Sequence, residues 1–221
     1  MSTAYGVRIA LPMTVTLTVE PCDDACLAYA NTLSWRGRAA PLEELRDIGD
    51  LVRWVAGSAG LGPEVVDAWE SWARQHRAAG AALFAEAIAL REAIYRIFRA
   101  LARGEALADP DLAALNGALA AAPPRRRLTP TEAGYGWRIE RAEPSAPMLL
   151  APVLWSAGDL LASERRRSVR LCANEQCLWL FLDESKAGTR RWCNMASCGN
   201  RAKARRHYRR TRPGSAPERG A

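Results

Sequence analysis

Four cysteines lie close together near the C-terminus, in two pairs with equal spacing. Four residues separate Cys172 from Cys177, four separate Cys193 from Cys198, and fifteen lie between the pairs. Zinc prefers four soft ligands in a tetrahedron, and two cysteines on one tight turn supply half of that set. A fifteen-residue loop is long enough to return the second pair to the first. The spacing therefore predicts one structural zinc ion bound by these four thiolates.

Other uses of the same cysteines remain open to the sequence. They could be ordinary unliganded thiols, or they could form a redox switch. A catalytic zinc is disfavoured, because such a site keeps an open position and usually includes histidine or carboxylate ligands. The nearest histidine, His207, lies nine residues beyond the last cysteine. A module this small has little core, so metal binding is expected to supply much of its folding energy.

A basic segment follows the last cysteine. Asn200 is expected to cap a helix running from about Arg201 to about Arg212, and Gly199 to adopt the unusual backbone angles of a knuckle. The segment has few apolar residues, so the helix should be exposed, and its cations would repel one another unless a polyanion neutralised them. Arginine bonds phosphate and guanine bidentately. The predicted nucleic-acid contacts are Arg190, Arg191, Arg201, Lys203, Arg205, Arg206, Arg209 and Arg210.

The distribution of charge supports this interpretation better than its total. Residues 161–221 carry a net charge of +10, whereas residues 1–160 carry −3. The arginine excess itself indicates a compositional bias, because 29 of the 31 basic residues are arginine. A basic end on a nearly neutral body is typical of polyanion binding. DNA is the expected partner. One alternative is RNA, whose bases would stack on the aromatic residues between the cysteine pairs. The other is that the basic segment is a solvated tail with no partner.

The larger N-terminal part shows no recognisable catalytic set. His76 has no nucleophile or paired acid beside it in sequence, and Glu43-Glu44 is typical of a helix start. There is no glycine-rich phosphate loop and no dinucleotide fingerprint. Cys22 and Cys26 lack two further ligands, so we expect structural or incidental thiols. Eight tryptophans indicate an aromatic core or, as the competing interpretation, an aromatic-rich pocket for a ligand or substrate beside a purely structural finger.

The elements that position these residues are mostly helices. Residues 5–19 alternate as in an extended strand, and Leu128–Ala142 predicts a strand pair that turns near Gly134. Within the finger, the apolar run Leu178–Leu182 is predicted to form a hairpin with Arg190–Trp192. Helices are predicted over residues 26–33, from Pro41 to about residue 57, from Pro63, over residues 81–103, over residues 109–121 and over residues 149–161.

The residues around the last cysteine resemble the signature of the CGNR zinc-finger family. The resemblance rests on Cys198-Gly199-Asn200-Arg201 and extends to Cys172-Ala173-Asn174, to Trp179–Asp183 and to Arg190–Cys193. It implies that the four zinc ligands are Cys172, Cys177, Cys193 and Cys198.

Residues 20–160 resemble the ABATE domain that usually precedes this finger. The matching stretches are Leu27–Leu33, the helix over Leu45–Val55 and Arg91–Tyr95, although Ala28 stands where the family has an acidic residue. The family is described as stress-responsive transcription regulators. The resemblance therefore implies a DNA-binding regulator whose N-terminal domain senses a ligand or mediates dimerisation.

These features predict a mainly α protein with a few short antiparallel strands (α+β). The expected parts are a helical domain over residues 1–160, a four-cysteine zinc finger with a basic helix over residues 161–212, and a disordered tail over residues 213–221. No apolar run is long enough to cross a membrane, and the N-terminus lacks the layout of a secretory signal. A location in the bacterial cytosol or nucleoid is the default expectation. A homodimer would enlarge the small footprint of a single finger.

Overall fold

The computed structural model describes residues 17–19, 24–132, 134–139 and 143–211, and it is 57% helical. The predicted fold class, mainly α with a few short antiparallel strands, is confirmed. The helices are α1 (Ala25–Ala30), α2 (Ile48–Ala59), α3 (Pro63–Gln75), α4 (Arg77–Arg103), α5 (Asp109–Ala121), α6 (Ala146–Leu149), α7 (Ala151–Ala162) and α8 (Asn200–Thr211). The strands are β1 (Leu17–Val19), β2 (Leu33–Ser34), β3 (Leu42–Glu43), β4 (Arg127–Thr131), β5 (Gly134–Ile139), β6 (Val169–Leu171) and β7 (Leu180–Leu182).

Helix α4 is the central element of the core. Helices α1, α2, α3, α5 and α6 contact it, as does strand β6 from the C-terminal region. Gly104 ends the helix in the left-handed conformation, with φ +68°. An apolar stripe forms the buried face of this helix, and its fully or nearly fully buried members include Leu83, Ala87, Ile94, Ile97 and Phe98.

The start of α2 differs from the sequence prediction. The pattern at Pro41 predicts a helix, but Leu42–Glu43 is strand β3, which pairs antiparallel with β2. Helix α2 begins at Ile48, where the Asp47 side chain accepts a hydrogen bond from the Asp50 amide at 2.8 Å. The Glu43 carboxylate instead accepts two bonds, at 2.6 and 2.7 Å, from the buried Arg91 guanidinium. This tertiary contact outweighs the local signal for a helix start.

Three strands form a small antiparallel sheet beside the helices. Strand β5 lies in the centre, with Leu17 of β1 opposite Ile139 and Leu128 of β4 opposite Trp137. The strand pair predicted over residues 128–142 is therefore present within the described ranges. Of the extended segment predicted over residues 5–19, only the last three residues are described, and they form β1.

The tryptophans serve mainly as core residues. Trp69, Trp72 and Trp155 are buried, and the rings of Trp69 and Trp72 meet edge to face with centroids 5.8 Å apart. Trp54 packs against Tyr29 with ring centroids 5.2 Å apart. Such pairs add roughly 0.5–1.5 kcal/mol beyond their buried area. The core interpretation of the aromatic residues thus accounts for these positions.

The β6–β7 hairpin joins the finger to the helical body. Val169 pairs with Leu182 and Leu171 with Leu180, so the predicted pairing of Leu178–Leu182 with Arg190–Trp192 is wrong. Residues 190–192 form no strand. Val169 and Leu180 are buried in the main core, and α4 contacts both strands. Burial of these side chains against the body selects β6 as the partner of β7.

Some predictions concern residues beyond the described ranges. Cys22, Arg212 and the predicted disordered tail over residues 213–221 all lie there. In α8, the backbone is described to Thr211, whereas the side chains of residues 206, 207 and 209–211 are not. Among the described helices, none is both long and apolar enough to cross a lipid bilayer.

Candidate metal centre and basic helix

The first cysteine pair sits at the turn between β6 and β7. Cys172 follows β6 and donates its amide proton to the Trp179 carbonyl at 2.8 Å, while the Cys177 amide donates to the Asn174 carbonyl at 2.7 Å. Leu178 then adopts a left-handed conformation, with φ +57°. A non-glycine residue in this conformation is uncommon. The hairpin and this turn therefore present both thiols on one side of the strand pair.

The second pair is returned to the first by a turn organised around Asp183. This buried carboxylate accepts hydrogen bonds from the Ser185 amide, the Ser185 hydroxyl and the Arg190 amide. Its bond from the Ser185 side chain is the main cause that lowers the pKa of Asp183 below its usual value. The Ala173 amide then donates to the Arg191 carbonyl at 2.9 Å, which holds the returning segment beside the first pair.

The last ligand lies inside a helix rather than before one. Asn194 caps a π-helical turn over Met195–Gly199, and its side chain accepts a bond from the Ser197 amide at 3.1 Å. Cys198 lies in this turn, and α8 follows without a break. Asn200 has helical angles, with φ −65° and ψ −38°, so the prediction that it caps the helix is wrong. Asn194 has that role.

The conformation of Gly199 differs from the predicted one. The sequence suggests unusual backbone angles, but Gly199 has no positive φ and lies within the π-helical turn. A Cβ atom at this position would overlap the Met195 sulfur and approach the Trp192 ring. The Met195 side chain is half-exposed and can move aside, so this packing accommodates the glycine without requiring it.

The four sulfur atoms converge with the dimensions of a zinc site. All four Sγ atoms lie within 4.8 Å of one another, with Cys177 and Cys193 at 3.7 Å and Cys193 and Cys198 at 3.8 Å. Zn–S bonds of about 2.3 Å in a tetrahedron place the sulfurs about 3.8 Å apart. A disulfide needs about 2.05 Å, and all four thiols are free. The donor set and its dimensions fit one structural zinc ion.

The electrostatics of the cluster also suit a bound cation. Hydrogen bonds from Cys177 and then Cys193 lower the pKa of Cys172 to about 2. The hydrogen bond with Cys172 raises the pKa of Cys177 to about 12 and raises that of Cys193 as well. Four adjacent thiolates would repel one another without a cation. A divalent cation compensates that repulsion and allows all four to ionise.

Asn174 supports the metal site from the side. It is buried, and its Nδ2 atom donates to the Cys198 sulfur at 3.4 Å. Its Oδ1 atom accepts from the Gln176 amide at 3.3 Å and from the Arg205 guanidinium at 3.2 Å. A donor to a ligating sulfur orients that ligand and stabilises its negative charge. Through Asn174, the fourth sulfur is also connected to the basic helix.

The finger is bound to the helical body by backbone-directed hydrogen bonds. Asn31 donates from Nδ2 to the Leu180 carbonyl at 2.9 Å and accepts from the Leu180 amide at 3.0 Å. The Tyr95 hydroxyl donates to the Leu178 carbonyl at 3.1 Å. The Gly37 amide donates to the Gln176 carbonyl, at a distance where a Cβ atom on residue 37 would overlap the Glu175 carbonyl. The first cysteine turn is therefore fixed to the body.

Trp35 connects the body to the basic helix. It adopts a left-handed conformation, with φ +56°, and packs against the small apolar cluster around the cysteines. The Arg38 guanidinium lies 3.9 Å from the centroid of its ring, and that of Arg201 lies 4.6 Å away. Such cation–π contacts contribute roughly 0.5–2 kcal/mol. Helix α8 is thus held by its first turn to a residue of the N-terminal domain.

Several predicted nucleic-acid contacts lie against the finger itself. Arg190 donates from Nε to the Trp192 carbonyl and from its guanidinium to the Cys193 carbonyl, and it lies over the Phe181 ring. Arg201 and Arg205 contact Trp35 and Asn174. Lys203 is exposed, and Arg191 is exposed beside the Trp192 ring. Arg206, Arg209 and Arg210 lie along α8.

A buried ion network escaped the sequence interpretation. Arg91 is only 2% exposed, and it bonds the Glu43 carboxylate, the Thr32 hydroxyl and Glu92. Arg36 binds Glu92 with two bonds and lies over the Tyr95 ring. The available signal was the charged pair Arg91-Glu92 within the apolar pattern of α4. Such a pair in an apolar pattern indicates a buried charge. The sequence does not show that the partner of Arg91 is Glu43, 48 residues earlier.

The helical body and the four converging sulfurs define a zinc-finger protein with an attached basic helix. A family model described as "Putative stress-induced transcription regulator", ABATE, matches residues 23–164. A second family model, the CGNR zinc finger, matches residues 168–211. The chain therefore belongs to the ABATE family and carries a CGNR zinc finger. It matches none of the curated proteins with which it was compared. Its architecture is that of a regulator-like zinc-finger protein.

Proposed function

We propose that this protein binds DNA through α8 and regulates transcription. The observation that carries the proposal is the position of α8, which continues directly from the ligand turn containing Cys198. This helix carries six Arg and Lys residues and no acidic residue. Zinc thereby fixes the base of a cationic helix, and such a helix suits the phosphates and guanine edges of DNA.

The contacts of α8 divide its cations into two groups. Arg201 and Arg205 lie against Trp35 and Asn174, so their face of the helix is turned toward the protein. At 100° per residue, positions 203, 206 and 210 lie on the opposite face. We assign the DNA contacts mainly to Lys203, Arg206 and Arg210, with Arg191 and Arg209 assisting. Arg190, Arg201 and Arg205 position the helix and the ligand turn.

The N-terminal domain supplies the regulatory part of the proposal. A single finger offers a small contact area, and useful specificity calls for a second finger or a second contact. We propose that the helical domain either mediates dimerisation or senses a ligand. The hydrogen bonds from Asn31 and Tyr95 to the finger, together with the contact between Trp35 and Arg201, are the routes by which a change in the body would reach α8.

The test is selection of genomic DNA fragments by the zinc-loaded protein at near-physiological salt. The control is the double variant Cys193→Ser/Cys198→Ser, which removes two ligands. The proposal expects enrichment of a defined site that the control loses. Weak, sequence-blind retention by both proteins would contradict it and would leave the finger as an interaction module.

A second measurement tests the assignment of the DNA-facing cations. The triple variant Lys203→Gln/Arg206→Gln/Arg210→Gln should flatten the plot of log K against log salt by about one unit per lost phosphate contact. The matched triple variant Arg99→Gln/Arg103→Gln/Arg126→Gln removes the same charge from the helical body and should leave the slope unchanged. Equal salt-dependence slopes in the two variants would show that Lys203, Arg206 and Arg210 make no phosphate contacts.

A further inference from the structure

A cleft of about 610 Å³ lies in the helical body, between α2, α3 and the start of α4. Its size falls within the range of pockets that bind small organic molecules, about 300–1,000 Å³. Neither the zinc ligands nor any residue of α8 lines it. The cleft is therefore a feature that the metal centre and the proposed DNA contacts leave unexplained.

The floor of this cleft is apolar and partly aromatic. Val52 and Trp69 contribute buried side chains, and Phe84 is half-buried at one side. The small residues Ala73, Gly80 and Ala81 also line the cleft, and Gly80 lies close to Ala73, where the two helices meet. A floor of this kind takes an apolar group of one or two rings.

The rim of the cleft is cationic. Arg46, Arg53, Arg74 and Arg77 line it, against the acidic residues Asp47 and Glu70. Arg46 and Arg53 bind Asp50 at 2.9 Å, and Arg74 lies 3.8 Å from Glu70. Within the described ranges, Arg77 has no ion-pair partner.

Helix α4 begins at the same place, directly after the C-terminus of α3. Arg77 is its first residue, and this helix of 27 residues has no acidic residue in its first turn and no side-chain cap. A long helix presents unpaired amides and a partial positive charge at such an end. The C-terminal end of α3 offsets this charge at His76, so the Arg77 guanidinium is the positive group that lies beside the apolar floor.

From this arrangement we infer that the cleft binds an amphipathic organic anion: a small molecule with an aromatic or alicyclic body and one carboxylate or sulfonate. The body lies against Phe84 on the apolar floor, and the anionic group bonds the Arg77 guanidinium. Arginine binds planar anions through parallel N–H donors, which suits this role. Such binding would supply the ligand-sensing part of the proposed function, but it needs no DNA and is measured without it.

The cleft beside the finger is a less suitable site for such a ligand. It measures about 660 Å³, and Cys193 and Trp179 line it. Three acidic residues, Asp24, Glu44 and Glu184, oppose two arginines there. Its charge therefore disfavours an anion, and its contact with Cys193 makes it part of the metal centre already described.

The probe for the test is 1-anilinonaphthalene-8-sulfonate, titrated into the zinc-loaded full chain and followed by its fluorescence. Arg77→Gln should weaken binding about tenfold, the usual effect of losing one charge-assisted hydrogen bond. Ala81→Phe, which fills the cleft at an exposed helix position, should weaken it by at least about tenfold as well. Arg103→Gln, in the last turn of the same helix, should leave the affinity unchanged.

Two comparisons make the result decisive. The neutral analogue N-phenyl-1-naphthylamine should bind more weakly than the sulfonate and should be insensitive to Arg77→Gln. Thermal unfolding of each variant identifies any that has lost its fold. Ala81→Phe tests the space in the cleft and Arg77→Gln tests its charge, so each remains informative if the other variant does not fold. Equal probe affinity in wild type, Arg77→Gln and Ala81→Phe would overturn the inference. So would a neutral analogue that loses as much affinity as the sulfonate in Arg77→Gln.

Discussion

Asn174 shows how a single side chain links the metal to the basic helix. Its amide donates to the Cys198 sulfur, and its oxygen accepts from Arg205. We expect Asn174→Ala to lower the zinc affinity about 10- to 100-fold, because the ligating thiolate loses its donor. Competition for zinc against the chromogenic chelator 4-(2-pyridylazo)resorcinol measures the change.

Asn200→Ala is the matched control for this prediction. Asn200 lies two residues after Cys198 and is exposed, and its amide bonds the Ala196 carbonyl rather than a sulfur. The control should keep nearly all of the zinc affinity. Equal losses in the two variants would mean that the contact to the sulfur contributes nothing specific.

Arg91 carries the largest electrostatic effect that we expect from one residue. Breaking a buried ion pair typically costs roughly 3–5 kcal/mol, but Glu43 reaches water through a 34% exposed side chain. We therefore expect Arg91→Met to lower the free energy of unfolding by about 2 kcal/mol, measured by urea denaturation. Arg46→Met, at an ion pair on the surface, should change stability little. A cost for Arg91→Met no greater than that of Arg46→Met would contradict this account.

At this scale the sequence revealed the ligands but not their surroundings. Cysteine is a strong metal ligand wherever it lies, so type and spacing were enough to identify Cys172, Cys177, Cys193 and Cys198. Asn174 and Trp35 are ordinary residue types whose roles come only from tertiary contacts with Cys198 and Arg201. No local pattern reports such contacts.

At the scale of elements, the loop after β2 fixes the first cysteine turn to the body. A Cβ atom on residue 37 would overlap the Glu175 carbonyl, which belongs to backbone and has little room to move. Gly37→Ala should lower the free energy of unfolding of the zinc-loaded protein by about 2 kcal/mol. Guanidinium denaturation followed by tryptophan fluorescence measures it.

Gly57→Ala provides the comparison for Gly37→Ala. Gly57 lies in α2, is exposed, and has no atom within 4 Å of the position that a Cβ would occupy. Alanine in a helix interior is favoured over glycine by about 1 kcal/mol, so this variant should be stabilised or unchanged. If Gly37→Ala were as stable as the wild type, the loop and the cysteine turn would be able to move apart at little cost in free energy.

The elements also show where periodicity suffices and where it fails. Helices α3 and α4 were predictable, because each has an apolar stripe and a local signal, Pro63 at the start of α3 and Gly104 at the end of α4. Helix α5 was predictable from its start at Asp109-Pro110. Strand β7 was recognised but assigned the wrong partner, since short strands carry no information about register. Its pairing with β6 depends on burial of Val169 and Leu180 against α4, which is a property of the assembled body.

At the scale of the molecule, zinc should stabilise more than the finger. The β6–β7 hairpin belongs to the main core, and the body bonds the finger through Asn31 and Tyr95. Removing zinc with a chelator should therefore lower the Tm of the whole described structure in one cooperative transition. Differential scanning calorimetry with and without zinc tests this. An unmoved main transition, with loss of only a small separate one, would show that the finger folds independently.

The shared core also bears on how such a protein can be inherited. Residues 165–167 separate the matches to the two family models, and they lie just before β6 begins. Recombination at that junction would separate Val169 and Leu180 from the helices that cover them, and it would leave the other gene product with an open core. The two segments are therefore expected to be inherited together, and the residues in contact between them are expected to change together. Zinc fingers that fold as independent units have no such constraint.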